Sequence, residues 1–310
     1  MNSQEQDNVS LPMKSTTLAS AITFTILATT ADGNPEVASK TKFIDNGKIK
    51  IGVDLTSGGS IFWLSELPED RNLLNHADRG RFIQQSYYGK PDGSLWVEKP
   101  WRWNPVQGGD YKGKPAKVLD SKATADTLHV RSIPVNWAGG EDIEDCRMLQ
   151  WISLHGPVVK IRYRFVYRGK DEHPAVHQEL PAVFIDYSQP DLVYYDGSEP
   201  WTGKPYKKDQ PGWPNESRGT TENWAGFIGE DGRGVGVYFP GTDRITTYRY
   251  PGPTGPEGGG CSYFAPIRTM AITPGMDFSY EIHLTIGSAA EMRERFAEVR
   301  KRTIPENEPE

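Results

Sequence analysis

The stretch Val158-Val-Lys-Ile-Arg-Tyr-Arg-Phe-Val-Tyr167 decides the fold class. Val159, Ile161, Tyr163, Phe165 and Tyr167 alternate with Lys160, Arg162 and Arg164. A side-chain period of two held over ten residues is the mark of a strand with one buried face. Working outward, the same reading applies to residues 127–133, 147–154, 176–186, 192–195, 224–228, 234–239, 244–249, 262–265 and 277–286. Upstream, Lys42–Asp54 alternates around Asn46-Gly47, a hairpin signal, and Gly58–Leu64 continues as a strand entered through glycines. One helix stands out near the end. Ser288 can cap it with Glu291 three residues on, Met292, Phe296 and Val299 space an apolar face, and Arg300, Lys301 and Arg302 suit its C-terminal dipole. Residues 65–117 and 196–223 read as two long loops, and loops of that length in a compact domain are usually functional. No repeat and no Pro/Ser linker divides the chain. The expectation is an all-β protein: one large antiparallel β-sandwich over residues 32–303, with one short C-terminal helix and a tail at 304–310.

Composition agrees and narrows the function. The 310 residues include 32 glycines and 24 prolines, about 18% of the chain against a usual ~12%, which argues for many turns and against a helical bundle. The net charge of −6 and the lack of a long basic run disfavour nucleic acid and anionic membrane as partners. Nine tryptophans, 14 tyrosines and 11 phenylalanines stand in a chain only 36% hydrophobic, so many rings must lie near the surface or line a cleft. Six of the tryptophans (Trp96, Trp101, Trp103, Trp201, Trp213 and Trp224) fall in or at the end of the two long loops. An acidic, turn-rich, aromatic-rich chain fits a carbohydrate-handling protein.

Cys146 and Cys261 exclude a disulfide scaffold and leave either one bridge or two buried thiols. Zinc-type Cys/His spacings are absent, and no metal or other cofactor is called for. At the N-terminus, Met13-Lys14 precedes the apolar run Leu18–Ala28 and small residues near Ala31, the layout of a secretory signal. Residues 1–31 are therefore expected to be a leader, and the protein secreted or periplasmic. About 11 residues are too few to span a bilayer, so no membrane insertion is expected.

Four segments could carry chemistry. The first, His76–Tyr88, contains Arg81, Gln85 and Tyr87, which share one strand face with Ile83, while Phe82, Gln84, Ser86 and Tyr88 share the other. A guanidinium can hold a carboxylate bidentately, and a tyrosine hydroxyl can donate or act as a base. The second, Trp101-Arg-Trp-Asn-Pro-Val-Gln-Gly-Gly-Asp110, offers Trp101 and Trp103 as sugar-stacking faces, Asn104 and Gln107 as hydroxyl partners and Asp110 as an acid. The third is His177 and Glu179, two apart on a strand and so on one face, a general acid/base pair. A His-x-Glu pair alone is not a metal signature. The fourth is Glu222 beside Trp224 at a strand mouth, a second carboxylate or a hydroxyl clamp. Gly258-Gly-Gly260 lacks the Lys-Ser/Thr of a phosphate loop, and no Gly-x-Ser-x-Gly elbow appears.

The order Gly58-Gly59, Asn75, Gly80-Arg81 and Asn104-Pro-Val-Gln-Gly-Gly109 resembles the galactose mutarotase-like β-supersandwich group. That resemblance implies a supersandwich fold and a sugar ligand, with Arg81 the counterpart of the arginine that this group brings into its cleft and His177 that of a mid-chain histidine. Gln107 stands where the epimerases of the group have a histidine, and the late segment Gly260–Pro266 lacks their carboxylate. The leading expectation is accordingly a glycoside hydrolase drawing two carboxylates from Asp110, Glu179 and Glu222, at the separations that hydrolysis requires. The alternatives are a lyase on uronate glycans, with Arg81 and Gln107 neutralising the acid and His177 or Tyr87 as base, an aldose epimerase, and a non-catalytic carbohydrate-binding module.

Overall fold

The computed structural model describes residues 40–303. The expected leader at 1–31 and the tail at 304–310 lie outside them. The first sheet runs, edge to edge, β1 (Thr41–Asp45), β2 (Ile49–Asp54), β3 (Ser60–Glu66), β4 (Ile83–Ser86), β13 (His173–Asp186), β20 (Cys261–Ile272), β19 (Arg244–Tyr250) and β16 (Glu216–Gly219). Short strands β7 (Pro105–Val106) and β10 (Val135–Asn136) extend it from β4. The second sheet runs β15 (Lys207–Asp209), β14 (Asp191–Tyr194), β17 (Trp224–Ile228), β18 (Arg233–Tyr238), β21 (Asp277–Ser288), β12 (Val158–Tyr167), β11 (Cys146–His155), β9 (Thr127–Ile133) and β8 (Lys117–Ala123). A separate hairpin pairs β5 (Pro91–Trp96) with β6 (Lys99–Arg102). Every pairing is antiparallel, and the fold is a large β-sandwich with one helix, α1 (Ala289–Thr303).

The alternation that decides the fold is realised in β12. Val159, Ile161, Tyr163 and Phe165 are fully buried, and Ile161, Tyr163 and Val159 join Ile51, Ile61, Ile83, Val183, Ile185 and Phe264 of the first sheet in one core. Burying an aliphatic side chain there contributes about 1.5–3 kcal/mol. The 42–54 hairpin forms as read, with Gly47 at φ 75° supplying the turn. The helix begins with the expected reciprocal cap: Ser288 N–H donates to Glu291 Oε2 (2.8 Å) and Glu291 N–H to Ser288 Oγ (3.3 Å). Its Met292 and Phe296 pack on Trp224, Ile228 and Tyr238, covering the outer face of the second sheet. The long loop at 65–117 is less irregular than read, because it contains β4, the β5–β6 hairpin and β7. Cys146 and Cys261 are free thiols in two different clusters.

The outer face of the second sheet also buries His283, opposite Lys160 of β12 and Tyr238 of β18. Burial pushes its imidazole down to about 4, against the pull of Glu281. The folded protein therefore keeps His283 neutral where the unfolded chain takes up a proton, and stability falls as pH drops from 6.5 towards 4. The expected loss is on the order of 3 kcal/mol. Urea unfolding at pH 7.5 and pH 4.5 checks this: His283→Leu should flatten the difference, and an unchanged slope would remove His283 as its source.

Candidate functional site

The first sheet presents the face that carries the site. In β13, Val183 and Ile185 point into the sandwich, whereas Ala182 and Phe184 point outward with Tyr263 and Ala265 of β20 and Tyr248 of β19. A bulge in β13 between Glu179 and Val183 resets the alternation, so that Glu179 shares this outer face, paired in register with Ser86 and Ile267. Rings run across it in sequence. Phe184 lies 4.6 Å from Tyr263, Tyr263 4.4 Å from Tyr248, Tyr248 4.9 Å from Trp213, and Trp213 5.3 Å from Tyr250. Trp213 is 55% exposed, so part of its ring is open to solvent. Arg81 lies over Tyr250 at 5.6 Å while donating to Gly259 O at 2.7 Å.

Glu179 is the chemical centre of this face. It is half-buried, and its carboxylate accepts from the hydroxyls of Tyr263 and Tyr88. Burial raises its affinity for a proton above the usual carboxylate range, and the two hydroxyl donors only partly offset that. Burial and the neighbouring carboxylate hold both tyrosines protonated well above their ordinary value. Burial therefore favours the protonated form of Glu179 more than water does, the direction that suits an acid catalyst. His177 follows on the same face, about 6.8 Å along the strand, and its Nδ1 sits 2.7 Å from Thr269 Oγ1. Tyr88, Trp101, His177, Glu179, Glu216 and Thr246 are among the residues lining a groove of about 480 Å³.

The sequence-predicted residues divide sharply around this groove. Glu179, His177 and Trp101 meet in it, and Arg81 stands on the same outer face. Asn104 is buried behind Trp101, accepting from its indole N–H at 3.2 Å and donating to Tyr87 O at 2.7 Å, and so positions the ring rather than facing a ligand. Tyr87, Gln85 and Gln107 face the interior instead. Tyr87 stacks on Phe165 of the other sheet at 4.1 Å, Gln85 donates to Leu149 O, and Gln107 donates to Gly58 O and Gln150. The outward tyrosine is Tyr88, one residue on. Asp110 is buried at a turn, capping the N–H groups of Lys112 and Lys114. Glu222 is fully buried in an ion pair with Arg293 and also accepts from Trp201 N–H and the Trp224 indole. Trp224 is core, and Trp103 stacks on His173 at 3.9 Å beside a different cavity. The picture of six loop tryptophans on one ligand surface is thus corrected: Trp101 and Trp213 stand on this face, with Trp96 edge-on to Trp101 at 4.9 Å, while Trp103, Trp201 and Trp224 pack elsewhere.

Tyr88, Tyr248 and Tyr263 are not among the residues that the sequence marks for the site. A signal for Tyr88 is present, because Ile83 is the one aliphatic residue of its strand, and the parity of Ile83 marks the inward face. Among the described residues no group of three or more His, Cys, Asp or Glu side chains could hold a metal ion, and no helix is long and apolar enough to cross a membrane.

No family model matches the chain, and no curated protein is significantly similar to it. Solved structures are similar in fold. A galactose mutarotase-like protein from Lactobacillus casei covers 79% of this chain and 99% of its own at a TM-score of 0.52 and 10% identity. A proposed aldose 1-epimerase from Escherichia coli K12 covers 79% and 98% at 0.53 and 12%. A galactose mutarotase related enzyme from Lactobacillus acidophilus covers 80% and 97% at 0.52 and 9%. The fold is therefore galactose mutarotase-like, as the resemblance carried by Gly58-Gly59, Asn75, Gly80-Arg81 and Asn104–Gly109 implies.

Proposed function

We propose that the protein is a carbohydrate-active enzyme that works by proton transfer at Glu179, in the manner of an aldose epimerase acting on the anomeric carbon of a sugar. The observation that carries this reading is the half-buried Glu179 carboxyl, its proton affinity raised by burial and its oxygens met by Tyr88 and Tyr263, on an open face walled by Trp101. Glu179 protonates the ring oxygen, and the His177 imidazole takes the proton of the anomeric hydroxyl. Trp101 and Trp213 offer faces for the apolar side of the ring. The galactose mutarotase-like fold of the solved neighbours supports the same reading.

Hydrolysis would need two working carboxyls across the scissile bond. Asp110 and Glu222 are committed to buried structural contacts, which removes two of the three acids on which the hydrolase expectation rested. One observation favours cleavage as a second reading: Glu216 also lines the groove. It already accepts from Gly212 N–H at 2.6 Å and from Arg218, which hold it ionised, so it would serve as a base rather than an acid.

The test is a screen of the purified protein. Anomeric exchange of free aldoses is followed by polarimetry and exchange NMR, and neutral and acidic glycans are followed by reducing-end release and ultraviolet absorbance of unsaturated products. Accelerated exchange without new reducing ends is expected. New reducing ends would move the assignment to cleavage. No turnover in any channel would leave a binding module.

A further inference from the structure

Two arginines flank Glu179 from opposite sides of the groove. Arg102 ends β6 of the hairpin, which is tied to the β4 side through Gly89 N–H to Trp103 O (2.8 Å), and Arg244 begins β19. In the sheet order β4, β13, β20, β19, Glu179 of β13 falls between them. Both line the groove and both are exposed. Half of the protein's 18 arginines pair with carboxylates: Arg79, Arg81, Arg131, Arg164, Arg168, Arg218, Arg233, Arg293 and Arg295. Among the described residues, Arg102 and Arg244 have neither a carboxylate within ion-pair distance nor a hydrogen bond to accept their donors. The two carboxyls in the same groove are committed elsewhere, Glu179 to Tyr88 and Tyr263, and Glu216 to Arg218 and Gly212 N–H. In a chain with a net charge of −6, the groove thus holds two uncompensated guanidinium groups.

We propose that this groove selects sugars bearing an anionic substituent, a carboxylate or a sulfate, which Arg102 and Arg244 hold. The proposal rests on the reading of the groove as a carbohydrate site and names the class of sugar it takes. A guanidinium presents parallel N–H donors that match the two oxygens of a carboxylate, or two of a sulfate. Charge at a groove rim also steers an anionic ligand inward at low salt.

Calorimetric titration of the full chain tests this with matched trimers. Galacturonate, glucuronate and mannuronate trimers are compared with their carboxyl-reduced forms, and a sulfated galactose trimer with its desulfated form. An acidic trimer is expected to bind at least tenfold tighter than its neutral match at about 20 mM salt, with the preference shrinking at about 0.5 M as screening sets in. The acid-over-neutral ratio should fall about tenfold to a hundredfold in Arg102→Gln/Arg244→Gln, the loss expected for charge-assisted hydrogen bonds. Arg102→Lys/Arg244→Lys should retain the salt dependence, and melting curves verify that each variant is folded. The uronate and sulfate arms show which anion is held. Equal binding of acidic and neutral trimers, an unchanged ratio in the glutamine variant, or no binding of any acidic trimer would overturn the proposal. Turnover of neutral sugars that requires Glu179 would sink this inference and keep the enzyme reading. Arginine-dependent binding of acidic trimers without turnover would do the reverse.

Discussion

Glu179→Gln is expected to lower turnover of the sugar substrate by about 10²–10⁴-fold, the usual contribution of a positioned acid. Glutamine preserves the shape and can still accept from Tyr88 and Tyr263, but it has no proton to give. Substrate affinity should change far less than turnover, because the lost interaction is one of the transition state. The pH dependence follows from the direction of the shift. Burial raises the Glu179 carboxyl above its ordinary 4.5, so the working acid form is complete below that value and is lost as pH rises through the raised one. The wild-type rate should fall on that alkaline limb. Residual activity of Glu179→Gln should lack the limb, and Tyr263→Phe, which removes one donor to the carboxylate, should move it to higher pH. A pH–rate profile of the three proteins checks all of this. A limb that persists unchanged in Glu179→Gln would assign the titration to another group.

Glu222→Ala is expected to destabilise the fold by about 3–5 kcal/mol, the cost of removing one partner from a buried ion pair. Glu222 has no exposed surface, and it accepts from Arg293 Nε at 2.8 Å, Arg293 Nη2 at 2.5 Å, the Trp224 indole at 2.8 Å and Trp201 N–H at 2.5 Å. One carboxylate therefore joins three parts of the chain: helix α1 through Arg293, strand β17 through Trp224, and the loop at Trp201. Alanine would strand the guanidinium of Arg293, which is only 13% exposed, and leave two N–H groups without acceptors. Thermal melting should fall by roughly 6–20 °C. The double variant Glu222→Leu/Arg293→Met should recover much of the loss, because neither partner is left as a lone buried charge. If Glu222→Ala melts like wild type but abolishes turnover, Glu222 belongs to the site and the assignment to the frame is wrong.

The two glutamates show how far the sequence could be read. His177-Gln-Glu179 on a strand placed an acid and an imidazole on one face by periodicity alone, and the structure puts them together in the groove. Glu222 beside Trp224 looked equally suitable, because a carboxylate at a strand mouth has the same local signature whether it meets solvent or an arginine. Its partner lies 71 residues away on a helix, a contact that no local pattern encodes. Tyr87 and Tyr88 make the same point at the scale of one residue. The alternation in 81–88 was legible, but the core-facing side is set by Phe165 across the sandwich. The β-bulge in β13 hides a second point of this kind, since it turns Glu179 onto the same face as Phe184 despite their odd separation. The long strands, the Asn46-Gly47 hairpin and the Ser288/Glu291 cap were legible because each rests on contacts local in the chain or on one unbroken period. The polar interior formed by Gln85, Gln107 and Gln150 was not, since buried amides in a sheet read like ligand contacts until their acceptors are seen.

Sugar is expected to bind on the outer face of the first sheet, at Glu179. A crystal structure of Glu179→Gln soaked with the tightest ligand from the glycan screen tests it most directly. A sugar ring is expected against Trp101, with a ring or anomeric oxygen within hydrogen-bonding distance of residue 179. A sugar seated instead in the cavity lined by Trp103, Tyr167 and His173, with the groove over Glu179 empty, would contradict it.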